Sequence, residues 1–276
     1  DGLDGVVVAS DAPTHAELAC RALASGRHVY VEKPFAMTLE EAETMAAAAS
    51  VNGRQLMVGH LIRHHDAFCE LQEQVAAGVI GELRHVTANR LAMGRIRATE
   101  SVIHDLCPHD LSLILALMGE APTDLACNGA SHVTAGMPDM LSTFFRFAGG
   151  RSASMTTSWM CPYKEHRLTV TGTTGSIVFD DTRPWDEKLT LYHDSIEGDG
   201  DIFTINRSRP LYLPVAEAEP LKQEMQAFIT SCETGKAALT GIEDALAVQQ
   251  VLHQMIECYT EFGHHGPQDA AAPHGA

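Results

Sequence analysis

Several features that define other protein classes are missing from this sequence of 276 residues. No apolar run approaches the roughly 18–20 residues that cross a bilayer, and nothing resembles a signal peptide, so no membrane association is expected. The seven cysteines are scattered without a Cys-x-x-Cys pair, which favours a reducing cytoplasm over a disulfide framework or zinc ribbon. Only 19 basic side chains face 36 acidic ones, and a net charge of −17 argues against a nucleic acid partner.

Two binding motifs are missing as well. No Gly-x-Gly-x-x-Gly turn, which seats the pyrophosphate of a dinucleotide, occurs anywhere in the chain. There is no His-Glu-x-x-His motif, although histidines and aspartates cluster around His64 and His104. A zinc site needs three or four converging ligands, and the neighbours His104 and Asp105 cannot share one helical face. We therefore predict no metal, and a metal-dependent hydrolase or isomerase is the weakest functional alternative.

A strand, a helix and a second strand open the chain. Apolar residues from Val6 to Ala9 predict a buried strand, His15 to Ala24 a helix, and Val29 to Val31 a strand that Pro34 stops. A crossover this short makes the two strands parallel. The carboxyl ends of such strands line a ligand crevice, which receives the residues that follow them: Ser10, His15, Glu32 and Lys33.

The rest of the chain changes from a parallel to an antiparallel pattern. Thr38 and Glu41 have the spacing of a helix capping box, Leu56 to Gly59 forms a last parallel strand, and Asp66 caps the next helix. Strands then follow one another, which predicts an antiparallel sheet. We place these strands near residues 83–92, 123–133, 139–147, 151–160, 165–171, 175–180 and 188–193. Helices are expected at about 105–118, 220–235 and 242–262.

These stretches in their order resemble the Gfo/Idh/MocA family of oxidoreductases. The matching residues are Val6 to Ser10 with His15, Ala24 to Pro34 with its Glu-Lys-Pro, Thr38 to Ala42, Val58 to His60 with Arg63, Gly78 to Gly81, Asp105 with His109, and Glu243 to Met255. The resemblance implies a partial Rossmann parallel sheet that lacks its N-terminal part, followed by a domain with an open, mostly antiparallel sheet. It implies NAD or NADP as cofactor and a homo-oligomer through the antiparallel sheet.

Three residues are predicted to carry the chemistry. Asp105 and His109 are four residues apart, so one helix would put both on the same face, where a carboxylate could orient an imidazole as general base. The resemblance implies that His109 takes the hydroxyl proton, Asp105 orients it, and Lys33 polarises the oxygen beside the nicotinamide. Alternatively, Lys33 is a surface lysine, and Asp105 and His109 are a helix cap and a partly buried histidine.

Other residues are assigned to the ligands. Ser10, His15, Glu32, Lys33 and Arg63 are predicted to bind the cofactor. Arg90 and Arg95, with Arg97 nearby, form a basic cluster suited to a phosphate or carboxylate, or simply a solvated strand end. Trp159 suits a sugar face or the core, and Lys164 follows it on a strand that resembles one bordering the family's active site.

We thus expect an NAD(P)-dependent oxidoreductase of the cytoplasm that acts on a secondary hydroxyl of a sugar, cyclitol or nucleotide sugar. Residues 1–60 would form the C-terminal remnant of a Rossmann domain, 61–262 an α+β substrate and oligomerisation domain, and 263–276 a disordered tail. The alternative is a non-catalytic fragment or scaffold paralogue without dinucleotide binding, which the missing glycine-rich turn favours.

Overall fold

A small parallel sheet opens the computed structural model, which describes residues 2–94, 96–97, 99–199 and 201–262. Its strands lie in the order β1 (Gly5–Val8), β2 (His28–Val31) and β3 (Leu56–Val58), and both pairings are parallel. Two crossover helices, α1 (His15–Ala24) and α2 (Leu39–Asn52), pack against one face of this sheet through alanine, leucine and methionine side chains. The predicted strand–helix–strand unit is therefore present.

The start of α2 shows why the chain turns where it does. Thr38 accepts a hydrogen bond from the backbone N–H of Glu41, and the Glu41 carboxylate returns to the backbone N–H of Thr38, so the capping box is complete. Gly53 ends the helix in the left-handed region at a φ of 58°, which favours glycine. The chain then enters β3 directly.

A second sheet has eight strands: β4 (Leu83–Met93), β5 (Asp124–Ala130), β6 (Met140–Arg146), β7 (Ser152–Ser158), β8 (Met160–Gly172), β9 (Ser176–Asp180), β10 (Leu189–Tyr192) and β13 (Leu211–Tyr212). Their order is β13-β10-β9-β8-β4-β7-β6-β5, and every pairing except the parallel β4–β7 pair is antiparallel. Along β6 the side chains alternate, with Leu141, Thr143 and Phe145 buried between exposed neighbours. One face thus covers the core while the other is open, as predicted for this fold class.

Five more helices complete the described chain: α3 (Asp66–Ala76), α4 (Val102–Asp105), α5 (Cys107–Met118), α6 (Pro220–Thr234) and α7 (Ile242–Phe262). The long helix α7 packs against α2 of the small-sheet region and against α5 and β5 of the large-sheet region, and so connects the two. No helix among the described residues has the length and apolar character needed to cross a bilayer.

Two expectations about local structure are wrong, and one hairpin was missed. The predicted helix at 105–118 is broken at Leu106, so Asp105 ends α4 while His109 lies in the first turn of α5. His65, rather than Asp66, caps α3 by accepting the backbone N–H of Ala67 on its ring nitrogen. A hairpin of β11 (Ser195–Asp199) and β12 (Ile202–Asn206) follows β10 and was not anticipated. The predicted tail at 263–276 lies outside the described residues.

Candidate active site

Lys33 projects from the carboxyl end of β2, where the crevice of a parallel sheet is expected. Its ammonium donates to Asp105 Oδ1 at 2.6 Å and to the Asp105 backbone carbonyl at 3.0 Å. The lysine side chain is 19% exposed and that of Asp105 13%. A charge-assisted hydrogen bond at this depth is partly protected from water. Two residues 72 positions apart, each near one of the two sheets, are brought together by it.

The other carboxylate oxygen of Asp105 is bound by Trp159. The indole Nε1 donates to Asp105 Oδ2 at 3.1 Å, and the Trp159 side chain is buried. Arg97 stands further away, with its Nε 3.6 Å from Asp105 Oδ1. A cavity of about 90 Å³ opens beside these groups and is lined by Arg90, Leu91, Ala92, Gly94, Arg97, Asp105, Leu106, Trp159 and His166.

His109 lies close to this cluster without being hydrogen-bonded to it. Its Nδ1 is buried and has no hydrogen-bond partner in the described structure. Burial, with the positive charges of Arg90 and Lys33, holds the pKa of His109 well below its ordinary value. The imidazole is therefore neutral at pH 7 and can accept a proton. The predicted pairing with Asp105 is not among the described hydrogen bonds, because Lys33 and Trp159 occupy that carboxylate.

Arg90 is committed to a carboxylate of the protein itself. Its Nε and Nη2 bind Asp110 Oδ2 and Oδ1 at 2.7 and 2.9 Å, and its Nη1 lies 3.3 Å from His166 Nδ1. Burial, Arg90 and the positive charge of Lys164 lower the pKa of His166 to about 4. Lys164 itself is exposed on β8. Arg95 lies outside the described residues. Arg90 therefore shapes the cavity wall, with most of its donors already occupied.

The predicted cofactor residues at the exits of β1 and β2 have different environments. The exposed Ser10 hydroxyl lies 2.6 Å from that of Thr14. His15 is buried, with Nδ1 2.8 Å from the Pro34 carbonyl oxygen and Nε2 3.0 Å from that of Ser10. Both partners are acceptors, so the single N–H of a neutral imidazole donates to one of them, while both ring nitrogens face the backbone of the strand exits.

Glu32 faces a different neighbourhood from Lys33. A Cβ added to Gly59 would come within 2.5 Å of the Tyr30 hydroxyl and 3.0 Å of Glu32 Oε2, so only glycine fits between them. The Tyr30 hydroxyl donates to Glu224 Oε2 of α6 at 2.9 Å. Burial and the negative charge of Glu32 raise the pKa of Glu224 to about 7. The carboxyl groups of Glu32 and Glu224 therefore lie close to each other, next to Tyr30.

Arg63 belongs to a buried ionic cluster that sequence reasoning missed. It donates to Asp244 Oδ1 at 2.6 Å, while His60 Nδ1 lies 2.8 Å from Asp244 Oδ2. Burial alone would raise the pKa of Asp244, but the hydrogen bond and charge of His60 and the Arg63 guanidinium lower it. The partners are more than 180 positions apart, and no local pattern could have indicated the contact.

Two family models match the chain. Residues 1–60 match the oxidoreductase family with the NAD-binding Rossmann fold, and residues 68–178 match the GFO/IDH/MocA C-terminal domain. The chain belongs to the Gfo/Idh/MocA family of oxidoreductases. The predicted family and its NAD-binding Rossmann fold are thereby confirmed.

Relatives within this family act on sugars or cyclitols by their names. UDP-N-acetylglucosamine 3-dehydrogenase of Acidithiobacillus ferrooxidans is 29% identical over 83% of this chain and 70% of the relative. Its structure superposes with a TM-score of 0.79 at 26% identity, over 92% of this chain and 78% of that one. Inositol 2-dehydrogenase of Rhizobium meliloti is 24% identical over 89% of this chain and 75% of its own.

Part of a dinucleotide fits the residues present in this family member. The ammonium of Lys33 and the exposed hydroxyl of Ser10 follow adjacent parallel strands, and they suit the nicotinamide end. No glycine-rich turn in the sequence suits the pyrophosphate. Among the described residues, no three His, Cys, Asp or Glu side chains converge as metal ligands would.

Proposed function

We propose that this protein is an NAD(P)-dependent dehydrogenase that oxidises a secondary hydroxyl of a sugar, cyclitol or nucleotide sugar, or reduces the corresponding ketone. The observation that carries the proposal is the Lys33 ammonium at the exit of β2, held 2.6 Å from Asp105, which lines a cavity. The names of the relatives in the same family supply the substrate class.

Each site residue has a distinct part in this proposal. Lys33 donates a hydrogen bond to the reacting oxygen, and Asp105 holds the lysine in place. His109, neutral because burial lowers its pKa, accepts the hydroxyl proton. Bound NAD(P) would supply the hydride acceptor. Lys164 and the wall that contains Arg90 and Trp159 border the space for the substrate, with Arg95 assigned there from the sequence alone.

We also propose the division into residues 1–60 and 61–262 and a homo-oligomer through the large sheet. One observation supports the oligomer: the open face of the large sheet carries Phe144 at 45% exposure and Met140 at 37%. All seven cysteines are free, which supports the cytoplasm as compartment.

The deciding experiment is a calorimetric titration of the folded chain with NADH and NADPH, followed by a turnover screen of sugars and cyclitols. Saturable binding and turnover of at least one substrate are expected. Absence of both in folded protein would contradict the proposal and favour a scaffold without dinucleotide binding. A panel that pairs each neutral sugar with its nucleotide-linked form would identify the substrate subclass.

A further inference from the structure

Trp159 was assigned to a sugar face or to the core, and its contacts indicate a further task. The side chain is only 3% exposed, so its ring offers almost no face to a ligand. Its one polar atom, the indole nitrogen, donates to Asp105 Oδ2. Asp105 in turn accepts the Lys33 ammonium on the opposite oxygen, Oδ1. The indole and the lysine therefore hold the same carboxylate from its two ends.

The indole is fixed in this position by its surroundings. The backbone N–H of Trp159 donates to the Asp139 carbonyl at 2.9 Å, and the backbone carbonyl of Trp159 accepts from the Gly94 N–H at 3.1 Å. A Cβ added to Gly94 would lie 2.8 Å from the indole Cδ1, closer than real Cβ atoms approach. Only glycine at this position allows the ring to reach Asp105.

We infer that Trp159 is a positioning residue: its indole N–H fixes the plane of the Asp105 carboxylate and so fixes the direction of the Lys33 ammonium. This inference rests on the proposed function, in which Lys33 touches the substrate. It replaces sugar stacking as the role of Trp159.

A carboxylate with a single donor turns easily about its last torsion, because that torsion has a broad profile. Donors on both oxygens remove this freedom. Arg97 Nε stands 3.6 Å from Oδ1, the oxygen that also accepts from Lys33, and Arg97 Nη1 lies 3.6 Å from Glu100 Oε1. Without the indole N–H, the carboxylate would turn about this torsion and Oδ1 would move away from the Lys33 ammonium. Trp159 thus holds Oδ1 in the position where it binds Lys33.

The first test measures Lys33 without any turnover. Reductive methylation of Lys33, followed by mass spectrometry, is compared in wild type, Trp159→Phe and Asp105→Asn. We expect W159F to raise the labelling rate of Lys33 several-fold, toward that of D105N. The matched control is Trp185→Phe, since Trp185 is the other tryptophan and stacks on His65 at 4.7 Å. Unchanged labelling in W159F, with the melting temperature intact, would overturn the inference.

The second test separates positioning from stacking. Phenylalanine keeps the aromatic ring and loses only the N–H, so W159F is expected to lower kcat about tenfold, as for a lost hydrogen bond to a charged group, with KM for the sugar unchanged. Gly94→Ala should reproduce this effect by displacing the indole. In a D105N background, W159F should add nothing further.

Two other outcomes are decisive. A normal kcat in W159F together with a raised KM in Trp159→Ala would show that the ring acts by stacking, and the inference would be wrong. If the wild type turns over no sugar but Lys33 labelling responds as expected, the positioning role stands and the proposed function fails.

Discussion

The molecule contains two lysine–aspartate pairs with the same bonding pattern and different settings. Lys33 donates to Oδ1 and the backbone carbonyl of Asp105, and Lys188 donates to Oδ1 and the backbone carbonyl of Asp181, at 2.9 and 2.7 Å. In the first pair the lysine is the more exposed partner, at 19%; in the second it is the more buried one, at 8% against 32% for its aspartate.

Setting, rather than chemistry, separates the two pairs. Lys188 lies 5.3 Å over the ring of Trp185, and Asp181 Oδ1 lies 3.7 Å from His65 Nε2, so that ammonium is enclosed by protein. Lys33 follows a parallel strand, and its partner Asp105 lines a cavity. The comparison teaches that an ammonium–carboxylate pair alone is no signature of an active site. The free side of the lysine has to face a ligand.

The largest expected effect comes from removing each lysine. Lys33→Ala should lower kcat by roughly 10²–10³-fold, the range for losing one donor to the reacting oxygen, and leave the melting temperature within a few degrees of wild type. Lys188→Ala should leave kcat close to that of wild type and lower the melting temperature, because it leaves Asp181 without its ammonium partner. Turnover assays and thermal melts of both variants check this. Equal loss of turnover in the two variants would remove the functional distinction between the pairs.

The next effect is on the carboxylates. Each of the variants Asp105→Ala and Asp181→Ala leaves a partly buried ammonium without its carboxylate. This should lower the free energy of unfolding by about 1–3 kcal/mol. Only D105A is expected to abolish turnover as well. Denaturant melts combined with kinetics separate the two consequences. If D181A proved as inactive as D105A at equal stability, the second pair would have to contribute to the site.

Lowering the pH should destabilise the folded protein, because three of its buried or half-buried histidines resist protonation. Burial lowers the pKa of His166 beside Arg90, of His65 beside Asp181 and of the interior His64 below the ordinary value of about 6.5. Between the folded and unfolded pKa values the unfolded chain binds more protons, so stability falls as the pH falls below about 6.5. The pKa values of His64 and His166 are about 4, and the loss should continue to that pH.

Urea melts between pH 7.5 and 4.5 measure this dependence. His64→Gln and His166→Gln should each flatten the curve over that range, because a glutamine cannot take up the proton. A wild-type unfolding free energy that stayed constant from pH 7 to pH 5 would contradict the expectation.

The smallest effect concerns a carboxyl group with no cationic partner among the described residues. The pKa of Glu224 is raised to about 7 by burial and by Glu32, so its stabilisation is complete below the unfolded value and is lost as the pH rises through about 7. Glu224→Gln should match wild type near pH 4.5 and exceed it by a growing margin as the pH rises, and the margin should level off above pH 7. Urea melts of wild type and E224Q at pH 6 and pH 8 measure this difference in the free energy of unfolding. A wild type that is more stable relative to E224Q at pH 8 than at pH 6 would contradict the prediction.

Much of the fold was predictable because it follows local patterns. The helix His15–Ala24, the capping box of Thr38 and Glu41 and the parallel strands all come from neighbouring residues. The break at Leu106 was missed although Pro108 signals it, because proline lacks a backbone N–H and is favoured in the first turn of a helix, where it lies in α5. The bonds of Asp105 to Lys33 and Trp159 are tertiary and had no such local signal.

The residues of the proposed site were assigned by resemblance, and their pairings could not be derived from the sequence. Asp105 was expected to orient His109, yet it pairs with Lys33, 72 positions away. Arg90 was expected to be free for a ligand, and Asp110 occupies it at 2.7 Å. Sequence spacing indicates which residues can lie on the same face of a helix. It gives no information about contacts between residues that are far apart in sequence.

The contact between Lys33 and Asp105 also has a mechanical meaning. One partner follows the small parallel sheet and the other belongs to the helices that pack on the large one, and their atoms meet at 2.6 Å. A shift of one sheet against the other by an ångström or two would break this contact. The proposed role of Lys33 therefore depends on one relative placement of the two sheets. We expect a ligand that draws the sheets together to align the lysine, and one that separates them to break its contact with Asp105.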